Sequence, residues 1–164
     1  MNLLQNKMKL ILNLNIQSSI KEILLVISQF IIIIFHFIKI NLFTNSLIEL
    51  PMDSFEVIGN IIIGLGFILI IFALKDLGNS ISPMPRPKNH SKLITTGIYS
   101  IIRHPMYYSL IIISVGFFIK SLTLYNLILT TLLTLVIIIK IGIEDNYLRR
   151  KYKTYKLYRS KLKI

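Results

Sequence analysis

Two clusters of polar and aromatic residues stand beside long apolar stretches of this chain. The first consists of residues 93–99, Leu-Ile-Thr-Thr-Gly-Ile-Tyr, followed by residues 103–107, Arg-His-Pro-Met-Tyr. The second, residues 144–148, Glu-Asp-Asn-Tyr-Leu, comes directly after the last apolar stretch. Ionisable groups beside membrane-type segments are costly there and usually mark function, so we expect both clusters to contribute to one site.

The residue types in these clusters suit a ligand of mixed charge. Arg103 and His104 precede a predicted helix start at Pro105, where free N–H groups and the helix dipole favour a carboxylate or another anion. The tyrosine rings offer faces for a cationic centre, and Glu144 can accept hydrogen bonds from ribose hydroxyls. These groups predict a pocket for a small ligand that carries a carboxylate, a cation and hydroxyls.

Lys140, Glu144 and Leu148 are spaced four residues apart and therefore share one face of a predicted helix. That face brings a cation and a carboxylate to the same side. A purely structural interpretation stays open, in which Lys140 and Glu144 form an ordinary ion pair. In the same interpretation Arg103 and the C-terminal lysines anchor helices at lipid headgroups, and the tyrosines form an interfacial belt.

The composition places the clusters in a membrane protein of one domain. The chain has 164 residues, 54% of them hydrophobic, and a mean hydropathy of +0.68, which a soluble domain of this size rarely reaches. It contains no cysteine, which excludes disulfides, thiolate catalysis and cysteine-ligated metals. Its three histidines lack metal-ligand spacing, so we expect no metal site. They are His36, His90 and His104.

The formal net charge of +12 indicates membrane orientation rather than nucleic-acid binding. Of the 19 lysines and arginines, nine lie from Lys140 onward, five from Lys75 to Arg103, and three before the first apolar stretch. The other two, Lys39 and Lys120, are at the opposite ends of apolar stretches. This positive-inside asymmetry predicts that both termini and both polar clusters lie on the cytoplasm-facing side, against membrane lipids.

Four apolar stretches predict an all-α, polytopic membrane protein with about four transmembrane helices. The stretches are residues 23–43, 57–74, 106–119 and 122–143. A tight turn at Lys120 and Ser121 is expected to join the last two into a hairpin. His36, inside the first stretch, is expected to be neutral and hydrogen-bonded to a neighbouring helix.

The remaining segments carry their own predictions. Residues 1–22 form an N-terminal lead-in, and residues 23–164 a single domain whose motif-bearing core is residues 57–164. Residues 44–56 form a short acidic loop. Residues 82–87, Ser-Pro-Met-Pro-Arg-Pro, form an extended, polyproline-like strap, because alternating prolines fix φ and remove donors.

Two further patterns concern helix packing and the C-terminus. Three glycines of the second helix are expected to let a neighbouring helix approach closely. They are Gly59, Gly64 and Gly66. Residues 144–164 are predicted to form an amphipathic helix at the membrane interface. Its apolar side would consist of Leu148, Tyr152, Tyr155 and Leu162.

The order and spacing of the motifs resemble the isoprenylcysteine carboxyl methyltransferase family, which is related to integral-membrane phospholipid methyltransferases. The resemblance rests on residues 93–99, on residues 103–107, and on Glu144-Asp145-x-x-Leu148 with the tyrosines after it. It covers residues 57–164 and leaves residues 23–43 outside. It implies an S-adenosylmethionine-dependent methyltransferase without a Rossmann fold, acting on a lipophilic or isoprenoid-like acceptor at the cytosolic interface of the membrane.

The resemblance also implies roles for individual residues. The cofactor contacts fall on the first cluster and the turn after it. They are Lys92, Leu93, Ile94, Tyr99, His104, Pro105, Met106 and Tyr107. The substrate-side pair of the family, an Arg four residues before a Glu, falls on Lys140 and Glu144 as the catalytic candidates. A carboxylate acceptor needs no base, whereas an amine or a hydroxyl would use Glu144 or His104.

The chain departs from the family pattern at three positions. Lys140 replaces the Arg and so lacks the bidentate fork that suits a carboxylate. Asp145 stands where the family has a second Glu, and Ser109 stands where it has Gly. These changes argue against a prenylated-protein substrate and leave a smaller lipid, a quinone-like or isoprenoid acceptor, or a phospholipid amine.

Two other functions stay open at this point. NADPH-dependent membrane sterol or enoyl reductases resemble the same helical core, but they carry Asn after the His-Pro and an acid just after the Gly. Here Met106 and Leu110 occupy those positions, which favours methyl transfer. The third is a non-catalytic membrane scaffold, because a fold does not fix a function.

Overall fold

The fold is taken from a computed structural model that describes residues 2–38, 52–88 and 91–162, with side chains from residue 16 onward except that of Met52. Five α-helices make up most of these ranges. They are α1 (Asn2–Phe37), α2 (Met52–Leu77), α3 (Pro105–Ser121), α4 (Leu124–Lys151) and α5 (Tyr155–Lys161). Two short 3-10 helices, Gly78–Ser80 and Gly97–Ser100, lie in the connection from α2 to α3.

The predicted all-α membrane architecture is confirmed. Within the described ranges three helical segments are long and apolar enough to cross a bilayer, Ile16–Phe37, Asp53–Ser80 and Leu124–Lys151. The helix α3 is as apolar but has only 17 residues. The faces of α1, α2 and α4 that point away from the bundle expose isoleucine, leucine and phenylalanine side chains, as lipid-facing surfaces do.

The ends of the first two helices differ from their predicted positions. The helix α1 already begins at Asn2, inside the predicted lead-in, and it ends at Phe37 with Ile38 in a bend. Residues 39–43 lie outside the described ranges. The helix α2 begins at Met52, so the predicted loop over residues 44–56 is wrong from that residue on. Its first turn contains Asp53, whose negative charge favours a helix start.

The hairpin between α3 and α4 forms, but its turn lies two residues later than predicted. Lys120 and Ser121 still belong to α3. The chain reverses at Leu122, which has a left-handed φ of 47° and whose N–H bonds the Phe118 carbonyl at 2.7 Å. Thr123 then starts α4, because its side chain accepts a hydrogen bond from the Asn126 N–H. These capping hydrogen bonds set the position of the turn, which the pattern of apolar residues alone does not indicate.

The single amphipathic helix predicted for residues 144–164 is wrong. The helix α4 continues without interruption through Glu144 to Lys151, because no helix breaker stands in that stretch and the three basic residues of its last turn suit a helix C-terminus. Tyr152 is extended, and the chain turns before the seven-residue α5. The polar cluster of residues 144–148 therefore lies within a long helix, and helical geometry sets the directions of its side chains.

Glycines bring α2 and α3 into close contact. A Cβ added to Gly59 would lie 2.6 Å from the Cβ and backbone N of Lys120 and 2.7 Å from the Gly116 carbonyl oxygen. A Cβ on Gly66 would lie 3.1 Å from the Ser109 carbonyl oxygen. Around Gly64 a Cβ would meet nothing within 4 Å. The packing prediction is confirmed for two of the three glycines and is wrong for Gly64.

Three polar residues dock α1 onto the rest of the bundle. Glu22, Gln29 and His36 are seven residues apart, or two helical turns, so they form one row along the helix. All three are buried, with 5%, 7% and 9% of their surface exposed. Apolar burial gives little drive for helix association in lipid, so such polar contacts and close packing must hold α1 in place.

The partners of this row come from several elements. Tyr147 on α4 donates to Glu22 at 2.5 Å, and Gln29 accepts from Lys140. His36 bonds Ser114 on α3 at 2.7 Å, which confirms the predicted hydrogen bond to a neighbouring helix. Each contact joins residues far apart in sequence, so α1 is fixed in register as well as in position.

The close approach of α2 and α3 gives a paired test. We expect Gly59→Ala to lower the free energy of unfolding by about 1–3 kcal/mol, because the new methyl group meets backbone atoms that cannot move aside. Gly64→Ala on the same helix should be neutral or slightly stabilising, since it adds helix propensity in open space. Thermal unfolding of both variants in detergent, followed by circular dichroism, checks this. Equal melting temperatures for the two variants would contradict the packing assignment.

Candidate functional site

The proline-rich segment of residues 82–87 crosses one end of the bundle. It has no helix or ladder, as its prolines predict, but it bends at residues 83–86 rather than running straight. The Pro83 carbonyl accepts a hydrogen bond from Lys140 at 3.3 Å. Arg86 bonds Tyr147 at 3.1 Å and lies 3.5 Å from the Glu22 carboxylate. The segment is therefore tied to α1 and α4 and forms one wall over the helix ends.

A glycine with positive φ fixes the first polar cluster against α2. Gly97 has a φ of 60°, and a Cβ there would lie 2.0 Å from an oxygen of the Asp76 carboxylate. That same oxygen accepts the Ile98 N–H at 2.7 Å. The backbone of the Thr-Thr-Gly-Ile-Tyr segment is thus clamped to the end of α2. Tyr99, two residues on, is buried, and burial raises the pKa of its hydroxyl well above the ordinary value.

The start of α3 orients His104 toward α4. Pro105 occupies the first helical turn as predicted, and His104 is the residue just before the helix. The His104 carbonyl accepts the N–H groups of Tyr107 and Tyr108 at 3.0 and 3.1 Å. The imidazole ring of His104 is buried, and its Nε2 lies 2.9 Å from Oδ1 of Asp145.

Asp145 is the centre of a buried polar network. Besides His104, its Oδ1 accepts a hydrogen bond from the hydroxyl of Tyr155, a fully buried residue of α5. Its Oδ2 lies 3.7 Å from Arg103 and 3.6 Å from Arg159. One carboxylate thereby joins the turn before α3, the helix α4 and the C-terminal α5. Asp145 belongs to the second polar motif and departs from the family pattern there, but the sequence did not indicate this role.

The tyrosines of the C-terminal segment stay protonated. Burial first, and then the hydrogen bond to Asp145, raise the pKa of Tyr155 well above its ordinary value. Burial raises the pKa of Tyr158 to about 12, and the hydroxyl of that residue donates to the Tyr99 carbonyl at 2.5 Å. At neutral pH these hydroxyls therefore act as hydrogen-bond donors that close the C-terminal segment over the first cluster.

Glu144, the neighbour of Asp145, faces a different direction. Consecutive residues of a helix are about 100° apart, so the two carboxylates point in different directions and approach different nitrogens of the His104 ring. An oxygen of Glu144 lies 3.9 Å from Nδ1 of His104, and its side chain also interacts with that of Tyr107. Its side chain keeps 27% of its surface exposed, and that surface lines a cavity. Glu144 is thus the carboxylate that can meet a ligand.

Lys140 lies one turn before Glu144 and is 2% exposed. Its ammonium donates to Oε1 of Gln29 and to the Pro83 carbonyl, and it stands 5.2 Å from the centre of the Tyr107 ring. In the part of the chain that the structure describes, no salt bridge joins Lys140 to Glu144. The ordinary ion pair that the spacing allowed is therefore not formed, and both charges remain directed at the cavity.

The cavity has a volume of about 190 Å³ and collects nearly every predicted site residue. Its lining includes nine of them: Lys92, Leu93, Ile94, Tyr99, His104, Met106, Tyr107, Lys140 and Glu144. Pro105 does not line it and is buried in the first turn of α3. Leu148, on the same face of α4 as Lys140 and Glu144, lines it as that spacing predicted.

Several lining residues were not among the predicted site residues. Gln29 and Phe30 reach the cavity from α1, and the proline-rich segment adds most of its residues. Tyr152, Tyr155 and Tyr158 close it from the C-terminal side. The one available signal for Gln29 was its polar side chain inside an apolar stretch, since such residues usually face the interior of a bundle.

The lining combines three kinds of group. Aromatic faces and apolar side chains form most of the wall, with the accessible carboxylate of Glu144 and the cations of Lys92, Arg103 and Lys140, of which Lys140 is buried. This arrangement can hold a ligand with a cationic centre against tyrosine rings and hydroxyls at Glu144. The described residues contain no group of three or more acidic or histidine side chains placed to hold a metal ion.

Comparison with known proteins gives one match. The family model for phospholipid methyltransferase matches residues 55–155, which is more than half of the chain. The matched range begins inside α2 and ends at the first residue of α5, so it contains both polar clusters and the hairpin that joins them. It leaves α1 outside. No curated protein sequence matches the chain.

The network around Asp145 predicts a large loss of stability on its removal. We expect Asp145→Asn to cost about 3 kcal/mol of unfolding free energy, because it removes the buried charge that contacts His104, Tyr155 and two arginines. The matched control is Glu56→Gln, which removes an exposed carboxylate 3.3 Å from Lys120 and should cost under about 1 kcal/mol. Thermal unfolding in detergent compares them. If both variants lose a similarly small amount of stability, Asp145 is not the centre of a stabilising polar network.

The clamp at Gly97 gives a second paired test. Gly97→Ala combines a left-handed φ with a clash against Asp76, so we expect a loss of about 2–4 kcal/mol. Gly78→Ala has a similar φ of 50° but open space around the new methyl group, and should lose only about 1 kcal/mol. Limited proteolysis of residues 91–104 should accelerate only in the Gly97 variant. Equal proteolysis rates would contradict the clamp.

Proposed function

Because the chain belongs to the phospholipid methyltransferase family, a family of membrane methyltransferases, we propose that it transfers the methyl group of S-adenosylmethionine to a lipid acceptor. The matched range and the motifs agree, so the resemblance drawn from the sequence is confirmed at the level of this family. The cofactor, the acceptor and the side of the membrane are the proposed parts.

One observation carries the proposal. The residues that the family motifs assign to the cofactor come from the connection after α2 and from the start of α3, and the pair assigned to the substrate comes from α4. All of them except Pro105 line a single cavity. Residues separated by up to 52 positions in the chain thus meet at one cavity, which supports a site for both the methyl donor and the acceptor.

The lining fits S-adenosylmethionine by its chemistry. The cofactor supplies an activated methyl group on a sulfonium centre when it is bound. Tyr99 and Tyr107 offer neutral aromatic surfaces for that cationic centre, and Glu144 offers oxygens that can accept from ribose hydroxyls. Leu93 and Met106 add apolar surface for the flat base. The proline-rich wall and the C-terminal tyrosines limit the access of water to this space.

The acceptor is proposed to meet this site from the α4 side. When it is an amine or a hydroxyl, a new bond from its nitrogen or oxygen to the methyl carbon would replace the carbon–sulfur bond of the sulfonium. The sulfur would leave as a neutral thioether, and the proton that the acceptor loses would pass to a base. Glu144 is our candidate, because its carboxylate reaches the cavity whereas Asp145 is held in its network. Lys140, with its charge directed at the cavity, is placed to orient the acceptor headgroup.

A second cavity supports a lipid rather than a soluble acceptor. It has a volume of about 100 Å³ and is lined almost entirely by apolar side chains of α1, α2, α3 and α4. Leu110 lines both cavities, so the second lies directly deeper along the helices. An acyl or prenyl tail could occupy this space while its headgroup stays beside Lys140 and Glu144.

The positions of charged residues support an active site on the cytoplasm-facing side. The cavity lies at the end of the bundle that carries the exposed basic residues of α4 and of the C-terminal segment. At the opposite end, α2 begins with Asp53 and Glu56. The positive-inside rule places the basic end toward the cytoplasm.

The central test removes the proposed base. Protein in nanodiscs containing phosphatidylethanolamine is incubated with methyl-tritiated S-adenosylmethionine, and label in the extracted lipid is counted. We expect Glu144→Gln to lower the rate about 100-fold or more, because the amide cannot take a proton. Binding of S-adenosylmethionine, measured by calorimetry, should change only about threefold, since the amide oxygen still accepts hydrogen bonds.

Glu56→Gln serves as the control for this test, because it removes an exposed carboxylate far along α2 from the cavity. It should leave the rate of methyl transfer unchanged. Full transfer activity in the Glu144 variant would exclude Glu144 as the base for this acceptor. If the wild-type protein labels no lipid, the proposed reaction with this acceptor is wrong.

A further inference from the structure

Lys140 is a buried cation whose contacts are all neutral. With 2% of its surface exposed, it reaches the amide oxygen of Gln29, the carbonyl of Pro83 and the ring of Tyr107. Burying a charge without a counter-charge is expensive. Glu144, one turn away, interacts with this charge but forms no salt bridge with it, so in the proposed reaction a ligand that brings a negative oxygen into the cavity would supply a counter-charge in direct contact.

Two of the three N–H bonds of this ammonium already have partners within the protein. Gln29 and Pro83 each accept one, from opposite elements of the fold. An ammonium has three donors, so one is left for a ligand in the cavity that Lys140 lines. The two oxygens thereby restrict the direction of a side chain that would otherwise rotate freely.

Gln29 belongs to α1, outside the range that matches the family. Gln29 lies in the row of buried polar residues that docks α1 onto the bundle, and this row brings it opposite Lys140. Glu22 is two turns before it, and His36 is two turns after it. Both neighbours are held by their own partners on α4 and α3. The position of Gln29 on α1 is thus supported by contacts other than its own contact with Lys140.

Resting on the proposed function, we propose that Gln29 is a positioning residue. It holds the ammonium of Lys140 without neutralising it, so that the remaining N–H binds an anionic oxygen of the acceptor headgroup. Gln29 acts through Lys140 and adds α1 to the site. The acceptor class that this arrangement favours is a lipid with a phosphodiester or carboxylate beside the atom that receives the methyl group, rather than a neutral quinone.

The neutrality of Gln29 is the property that matters in this proposal. A glutamate at the same position would keep the size and the hydrogen bond, but its charge would cancel that of Lys140. A leucine would keep most of the volume and remove the accepting oxygen. The two changes therefore separate the charge at this position from the packing of α1.

The experiment compares Gln29→Glu and Gln29→Leu with a matched control. Gln17→Leu makes the same substitution at an exposed position of the same helix. Native mass spectrometry counts phosphatidylethanolamine molecules retained after transfer from vesicles of that lipid. Calorimetry measures S-adenosylmethionine binding, and the labelling assay gives KM for the lipid and kcat.

We expect both Gln29 variants to raise KM for phosphatidylethanolamine about 10- to 100-fold, the size of one hydrogen bond to a charged group. Retained lipid should fall in parallel. Binding of S-adenosylmethionine and kcat at saturating lipid should stay within about threefold of wild type, and Gln17→Leu should change none of these values.

Three results would overturn the proposal. One is an unchanged KM in Gln29→Glu, the variant that preserves packing. Another is loss of S-adenosylmethionine binding with retained lipid, which would assign the anionic oxygen to the carboxylate of the cofactor. The third is a kcat that falls with KM unchanged. If Gln29→Leu fails to fold, Gln29→Glu decides alone.

Failure of the methyl transfer itself is distinguishable. The wild-type protein could retain phosphatidylethanolamine but transfer no label, while the Gln29→Glu variant retains no lipid. That result would support the headgroup site and exclude the proposed reaction for this lipid. If the wild-type protein and the Gln29→Glu variant transfer label equally well, the proposed reaction stands and the positioning role of Gln29 is excluded.

Discussion

Hydrocarbon offers no hydrogen-bond partners, so every polar side chain buried in this bundle has to be satisfied by another part of the protein. Several of the buried polar side chains among the described residues join elements that are distant in the chain. Asp145 joins α4 to the turn before α3 and to α5. Lys140 joins α4 to α1 and to the proline-rich segment. These polar contacts fix α1, the proline-rich segment and α5 against α4, whereas glycines allow α2 and α3 to pack closely.

The two adjacent acids on α4 have different roles. Asp145 joins the elements around the site, and Glu144 faces the cavity. Asp145 points toward the interface with α3 and α5, where two basic side chains, a histidine and a tyrosine surround it. Glu144 points about 100° away, into the cavity, where it meets a ring nitrogen of His104 only at 3.9 Å. His104 contacts both, so the fixed network determines where the accessible carboxylate stands.

The motifs and their spacing predicted the membrane fold, and nine of the ten residues that they indicated for the site line the cavity. They succeeded because residues four apart on α4 share a face, and because Pro105 fixes a helix start directly after His104. They failed on boundaries that capping decides, such as the left-handed Leu122, and on the continuation of α4 past Glu144. They also missed Gln29, whose partner is 111 residues away, since a single chain carries no local sign of such a contact.

The most direct test of the account is calorimetric binding of S-adenosylmethionine and of NADPH to the purified wild-type protein, with Glu144→Ala as the site control. We expect saturable binding of S-adenosylmethionine that the alanine variant abolishes, and no binding of NADPH. Binding of NADPH alone would replace methyl transfer by the reductase reading of the same helical core. Folded protein that binds neither would contradict the assignment of the cavity as a cofactor site.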